Sequence, residues 1–249
     1  MKLLWLFTAM IIWSMVNGPG DGVVQKKKTA DAGFAVVELF TSEGCSSCPP
    51  AEKLLKEIHQ QYQGRAVYVL AFHVDYWDKL GWKDKFSDSK YSGRQYKYSV
   101  FFQGRLYTPQ AIINGKEAFV GSEGDKIKGA IDKLLRKKVT LPDTEYKVRI
   151  KDGQVTLDYL LGQSLKGNLL SVALLQNQES VQVMAGENKG KLLEHVNVVR
   201  SFYSEAILDR SGSLNLDLPK DTDAKGLHVL VYLQDQKNLN VISATEISL

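Results

Sequence analysis

The chain has 249 residues, 44% of them hydrophobic and 24% charged, with a formal net charge of +4. That apolar fraction supplies one large or two modest cores and excludes a globally disordered chain. The basic residues are spread along the chain instead of gathered into a stripe, which argues against nucleic acid as a partner.

The N-terminus carries Lys2 followed by the apolar runs Leu3 to Phe7 and Met10 to Trp13, too short for a membrane span and shaped like a secretory leader. Residues 1–20 therefore read as a signal peptide cut after Gly20, leaving no membrane span in the mature chain. The expected location is periplasmic or extracellular, an oxidising setting for the only two cysteines. Residues 21–33, including Lys26-Lys27-Lys28, read as a flexible, solvated lead-in.

An apolar strand, Val36-Val37-Glu38-Leu39-Phe40, and a polar turn then lead to Cys45-Ser46-Ser47-Cys48-Pro49-Pro50. Behind them Ala51, Leu54, Leu55, Ile58 and Tyr62 recur at helical spacing, and proline is tolerated in a first helical turn. A strand that delivers a Cys-x-x-Cys pair to a helix N-terminus is the sequence form of a thioredoxin-like redox site. Unsatisfied N–H groups there stabilise a thiolate, so Cys45 is expected to be the nucleophile, with Cys48 one turn inside the helix.

Ala66 to His73 forms a second apolar run, and strand, helix, strand at this spacing predicts a right-handed βαβ unit. Residues 74–107 form a polar insert rich in aromatic residues, expected to hold one or two helices. Gln110 to Ile113 and Glu117 to Val120 flank Asn114-Gly115, a strong hairpin signal. A last helix is predicted over Glu123 to Lys137, giving the order β-α-β-α-β-β-α.

That order is the thioredoxin fold, and Thr108-Pro109 stands where thioredoxin-like proteins carry a cis-proline facing the cysteines. Val37 to Ala51, His73-Val74-Asp75-Tyr76-Trp77, Gly81-Trp82 and Tyr107-Thr108-Pro109-Gln110 closely resemble the bacterial secreted family catalogued as domain of unknown function 1223. Gly186-Glu187-Asn188 and Asn197 to Arg200 extend the match. The resemblance implies a thioredoxin-like fold over residues 34–141 but no substrate. It also implies that a strand acid, here Glu38, relays a proton to Cys48, although its spacing differs by one residue from that of thioredoxin.

Residues 142–249 change to short alternating runs separated by turns such as Lys151-Asp152-Gly153, and predict an antiparallel β-sandwich domain. His195, Asn197 and Arg200 fall in a polar stretch read as a connection.

The expected activity is thiol–disulfide exchange by Cys45 and Cys48 with protein or peptide thiols and disulfides, together with a redox-recycling partner. Glu38 and Pro109 complete the expected catalytic set, and Thr108, Tyr76, Trp77 and Trp82 are candidate substrate contacts. No organic cofactor is implied. Two alternatives remain open: a secreted binding protein with an inert disulfide, and a Cu(I) or zinc metallochaperone using Cys45, Cys48 and His73.

Overall fold

The computed structural model describes residues 22–27, 30–31, 33–220, 222 and 226–249, so the leader read over residues 1–20 lies outside the described residues. In chain order the first elements are β1 (Val23–Lys27), β2 (Ala30–Asp31), β3 (Ala35–Thr41), α1 (Pro49–Gln61) and β4 (Val67–His73). A 3-10 turn, Asp75–Leu80, then precedes α2 (Ser89–Phe101), β5 (Gln110–Ile113), β6 (Glu117–Val120) and α3 (Gly124–Leu135). All seven residues of β3 are buried, as expected for a strand covered on both faces. β3 pairs in parallel with β4 and antiparallel with β5, which pairs antiparallel with β6. Asn114 and Gly115 turn that last hairpin with φ of 47° and 65°, a conformation open to asparagine and glycine.

Alternation along β3 divides two cores. Ala35, Val37 and Leu39 pack with Leu54, Leu55 and Ile58 of α1 and with Ile127 and Ile131 of α3. Val36 and Phe40 face the other way, toward Tyr91 and Tyr98 of α2. The insert thus contributes a helix that covers the second face of the sheet, and several of its aromatic residues are core.

The remaining strands are β7 (Thr140–Leu141), β8 (Thr144–Lys151), β9 (Gln154–Leu161), β10 (Asn168–Gln182), β11 (Leu192–Ala206), β12 (Ser211–Asp217), β13 (Leu227–Asp235) and β14 (Val241–Ser248). They are joined to the strands of the first half. β11 runs parallel to β4, with Val198 opposite Ala71, and joins everything into one eight-stranded sheet of order β14-β13-β10-β11-β4-β3-β5-β6. A four-stranded sheet, β1-β8-β9-β12, shares with β10 and β13 a core built from Tyr146, Val148, Leu157, Val172, Val229 and Val231. The molecule is mixed α/β, built on large β-sheets.

Two expectations change here. Val23–Lys27, read as flexible lead-in, is a strand paired with β8 from Val23 opposite Val148 to Lys27 opposite Thr144. The stretch around His195, read as a connection, is the 15-residue β11. Asn197 takes φ of 48° and donates Nδ2 to Val69 O at 3.1 Å, fastening β11 to β4 at the joint between the halves.

Candidate functional site around Cys45 and Cys48

Cys45 and Cys48 are joined by a disulfide. The helix starts at Pro49 with Cys48 as its N-cap, so Cys48 lies at the helix entrance and Cys45 a turn before it, one step earlier than expected. The loop is a chain of turns in which Cys45 N donates to Ser42 O and Cys48 N to Cys45 O, each at 3.1 Å. Ala51 N and Glu52 N both donate to Cys48 O, as the first bonds of the helix.

Ser46 and Ser47 form the exposed lip of this loop, but both cysteines are fully buried. Cys45 is therefore not the more exposed of the two in the disulfide form. The segment bonded across the loop comes from the connection between β10 and β11. Asn188 Nδ2 donates to Glu43 O at 2.8 Å and to Cys45 O at 2.9 Å, and the Glu187 carboxylate accepts Ser46 N at 3.0 Å. The Ser46 hydroxyl first, and then this backbone bond, hold the Glu187 carboxyl below its usual range. Gly186, with φ of 71°, lets the segment pass close to Trp82, where a side chain would meet Trp82 Cβ.

The Thr108–Pro109 peptide bond is cis. Ser47 Oγ lies 3.4 Å from Cys45 Sγ and donates to Thr108 O at 3.4 Å, so this loop and the cysteine loop share one end of the sheet. Trp77 Nε1 donates to Thr108 Oγ1 at 2.8 Å, and Trp82 Nε1 to Glu43 Oε2 at 2.6 Å. Tyr76 OH donates to Gln95 Oε1 at 3.2 Å. These three rings are half-buried and their polar ends are occupied in holding the loops. The exposed apolar side chains of this stretch are instead Val100 and Phe101 at the end of α2 and Leu106 and Tyr107 immediately before Thr108 in the chain.

Glu38 lies elsewhere. It shares the β3 face of Val36 and Phe40, opposite to α1, and its carboxylate accepts from Arg94 Nη2 at 2.5 Å and from Tyr232 OH at 2.6 Å. Arg94 also reaches Tyr98 OH and Gln234 Oε1, which completes a buried polar network. Burial opposes the charge on Arg94, but Glu38 raises its pKa further above its ordinary value. Because strand side chains alternate, a shift of one residue moves a side chain to the opposite face, and Leu39 takes the α1 side.

The carboxylates beneath the cysteine loop are Glu43, Glu52 and Asp84, all buried. Glu52 stands one helical turn after Cys48 and accepts Thr41 Oγ1 at 2.6 Å, while its other oxygen is bonded to His195 Nδ1. Asp84 Oδ2 is 2.6 Å from His73 Nδ1 and accepts Glu43 N at 2.9 Å. The two imidazoles are perpendicular, with centroids 4.9 Å apart, and the Phe86 ring covers both. Burial raises the carboxyls of Glu52 and Asp84, but His195 and His73 respectively outweigh it and hold them low. Burial likewise opposes charge on His195, yet Glu52 and Glu43 push it up to about 10. The contact of His195 Nε2 with Glu43 Oε1, 3.6 Å, is an ion-pair separation too long for a hydrogen bond.

Glu43, Glu52, Asp84 and His195 had no place in the expected site. The available signal was weak: Glu52 follows Cys48 by four residues, one helical turn, and polar residues interrupt an otherwise apolar β11.

The sequence profile described as "Protein of unknown function (DUF1223)" matches residues 36–234. Among solved structures, the X-ray crystal structure of an Agrobacterium tumefaciens protein from a structural genomics consortium is 25% identical to this chain. The match covers 87% of this chain and 95% of that one, with a TM-score of 0.63. A comparison with curated proteins finds no match.

Proposed function

This chain belongs to the DUF1223 family of proteins of unknown function, and we propose that it is an exported thiol–disulfide oxidoreductase whose redox centre is Cys45–Cys48, in a thioredoxin-like unit followed by a β-sandwich. The observation that carries the reading is a disulfide at the entrance of α1 that adjoins the Thr108–Pro109 loop, linked through Ser47 to Thr108 O. A carbonyl beside a disulfide is suited to hold an extended substrate by main-chain bonding, as an exposed sheet edge holds an added strand. Exposed Leu106 and Tyr107, which directly precede Thr108 in the chain, offer apolar area for a polypeptide substrate.

In the reductive direction the Cys45 thiolate attacks one sulfur of a substrate disulfide and expels the other as thiolate. Cys48, after losing its proton, attacks Cys45 Sγ in the mixed disulfide. The second substrate thiolate leaves, the enzyme becomes the disulfide, and the substrate has gained two electrons. The oxidative direction reverses these steps. Glu38, paired with Arg94 on the other face, has no part in this reading.

The alternative favoured by a specific observation is an inert bridge, since both cysteines are fully buried. Equilibration in dithiol buffers separates the two. Exchange catalysts poise between roughly −120 and −270 mV, and structural disulfides lie below about −300 mV. A value in the first range, with mixed disulfides trapped by Cys48→Ser and not by Cys45→Ser, is the expected result. A bridge that stays closed to about −300 mV and traps nothing overturns the proposal.

A further inference from the structure

His73 and His195 have no exposed surface on their side chains, and each has Nδ1 held by a buried carboxylate, Asp84 and Glu52 respectively. The Nε2 atoms of both are buried without a hydrogen-bond partner, and so is Glu43 Oε1. Buried polar atoms of this kind are uncommon, and each calls for a water, an ion or a functional cause. The cause here is narrowed by chemistry. A carboxylate on Nδ1 orients the ring so that Nε2 offers its lone pair once the Nε2 proton is gone, and at His195 a metal would take the place of that proton; this is the outer-shell arrangement of metal-binding histidines. Glu43 has the same character: Trp82 Nε1 holds Oε2 and leaves Oε1 open.

Donor atoms from Glu52, His73 and His195 lie within 4.8 Å of one another, which brings the two imidazoles together, and Glu43 joins them through His195. His195 Nε2 and Glu43 Oε1 are 3.6 Å apart. Two ligands of a tetrahedral zinc at about 2.1 Å are separated by about 3.4 Å. Glu43, Glu52 and Asp84 set three carboxyl groups against two imidazoles in a buried volume, and buried charges are paired or bound to metals.

We propose that His73 Nε2, His195 Nε2 and Glu43 Oε1 bind a divalent transition metal, zinc in the first place, with Asp84, Glu52 and Trp82 as the groups that orient these ligands. The site is independent of the thiols and of the exchange activity. It joins the end of β4, β11 and the loop two residues before Cys45, so the metal fastens the cysteine loop to both halves of the chain.

The test uses the full chain with Cys45–Cys48 oxidised, which removes thiolates from competition. Metal content is measured after purification without chelator, and chelator-treated protein is then titrated with Zn²⁺ and with Co²⁺. One zinc per chain is expected, with cobalt giving visible d–d absorption and no thiolate charge-transfer band. Asp84→Asn should weaken zinc binding about 10–100-fold, His195→Gln should abolish it, and a Cys45→Ser, Cys48→Ser double variant should bind like the parent. Should the histidine variant fail to fold, Glu43→Gln retains the acceptor for Trp82, and unchanged zinc affinity in it overturns the proposal. A chain that takes up no zinc overturns it as well and assigns the open atoms to water or protons. Binding that survives His195→Gln does the same.

Discussion

Exchange at a buried disulfide requires the covering segment to open, and Asn188 makes that requirement measurable. Its Nδ2 bridges Glu43 O and Cys45 O at 2.8 and 2.9 Å, and the residue is fully buried. Asn188→Ala removes both bonds. Cys45 O keeps Cys48 N at 3.1 Å and loses a bond with a net value of about 1 kcal/mol. Glu43 O loses its Asn188 donor in a buried position, at roughly 1–3 kcal/mol. The open segment has lost these bonds in either protein, so their sum, roughly 2–4 kcal/mol, lowers the opening free energy. At 1.4 kcal/mol per factor of ten, reduction by a limiting dithiol should accelerate about 30- to 700-fold. The rate is read by quenching with an alkylating reagent and counting labelled cysteines by mass. A rate within about twofold of the parent would refute the view that Gly186–Asn188 gates the cysteines.

Three further outcomes are expected. Arg94→Met leaves the Glu38 carboxylate buried without its cation and should destabilise the fold by about 3–5 kcal/mol, or about 6–20 °C in Tm; a Tm unchanged within experimental error would deny the network a structural role. Burial lowers the pKa of His228 to about 4, aided by His59, whose own pKa burial also lowers. The unfolded chain then binds more protons, so this stability is complete above about 6.5 and is lost as pH falls toward 4, partly offset by Glu246, whose raised pKa acts in the opposite sense. His228→Gln should flatten the dependence of Tm on pH between those values, and an unchanged slope would assign it to other groups. A chain ending at Leu141 removes β11 from the edge of β4 and Asn188 from the cysteine loop, so it should aggregate in size-exclusion chromatography; a folded, monomeric product with the parent's exchange rate would show that the first half is self-sufficient.

What was legible in the sequence is what local chemistry dictates. The proline-led helix after Cys48, the apolar β3 and β4, and the Asn114-Gly115 hairpin each follow from spacing and turn preference, and each is present within a few residues of its expected bounds. The cis bond at Thr108–Pro109, expected from the resemblance, is present as well. Glu38 was legible as a buried acid but not as to its face, because one residue of register decides which core a strand side chain enters. Its partners, Arg94 and Tyr232, lie 56 and 194 residues further along, beyond any local pattern.

β11 was illegible for a more instructive reason. Along it Glu194, His195, Asn197 and Arg200 break the apolar alternation that marks a strand, so the stretch reads as a connection. Yet His195 and Asn197 are buried, one against Glu52 and the other on Val69 O. A strand can afford polar side chains inside a core only where the neighbouring element supplies their partners, and here those partners come from α1 and β4 in the other half of the chain. The converse holds for the first half, where the open edge of β4 and the carboxylate of Glu52 are completed by β11. The residues that hid the strand are therefore the ones that fuse the two halves, and they end at the loop that carries Cys45. A division at residue 142 separates two patterns of sequence, whereas the cysteine loop, the sheet and the buried histidines are built across it.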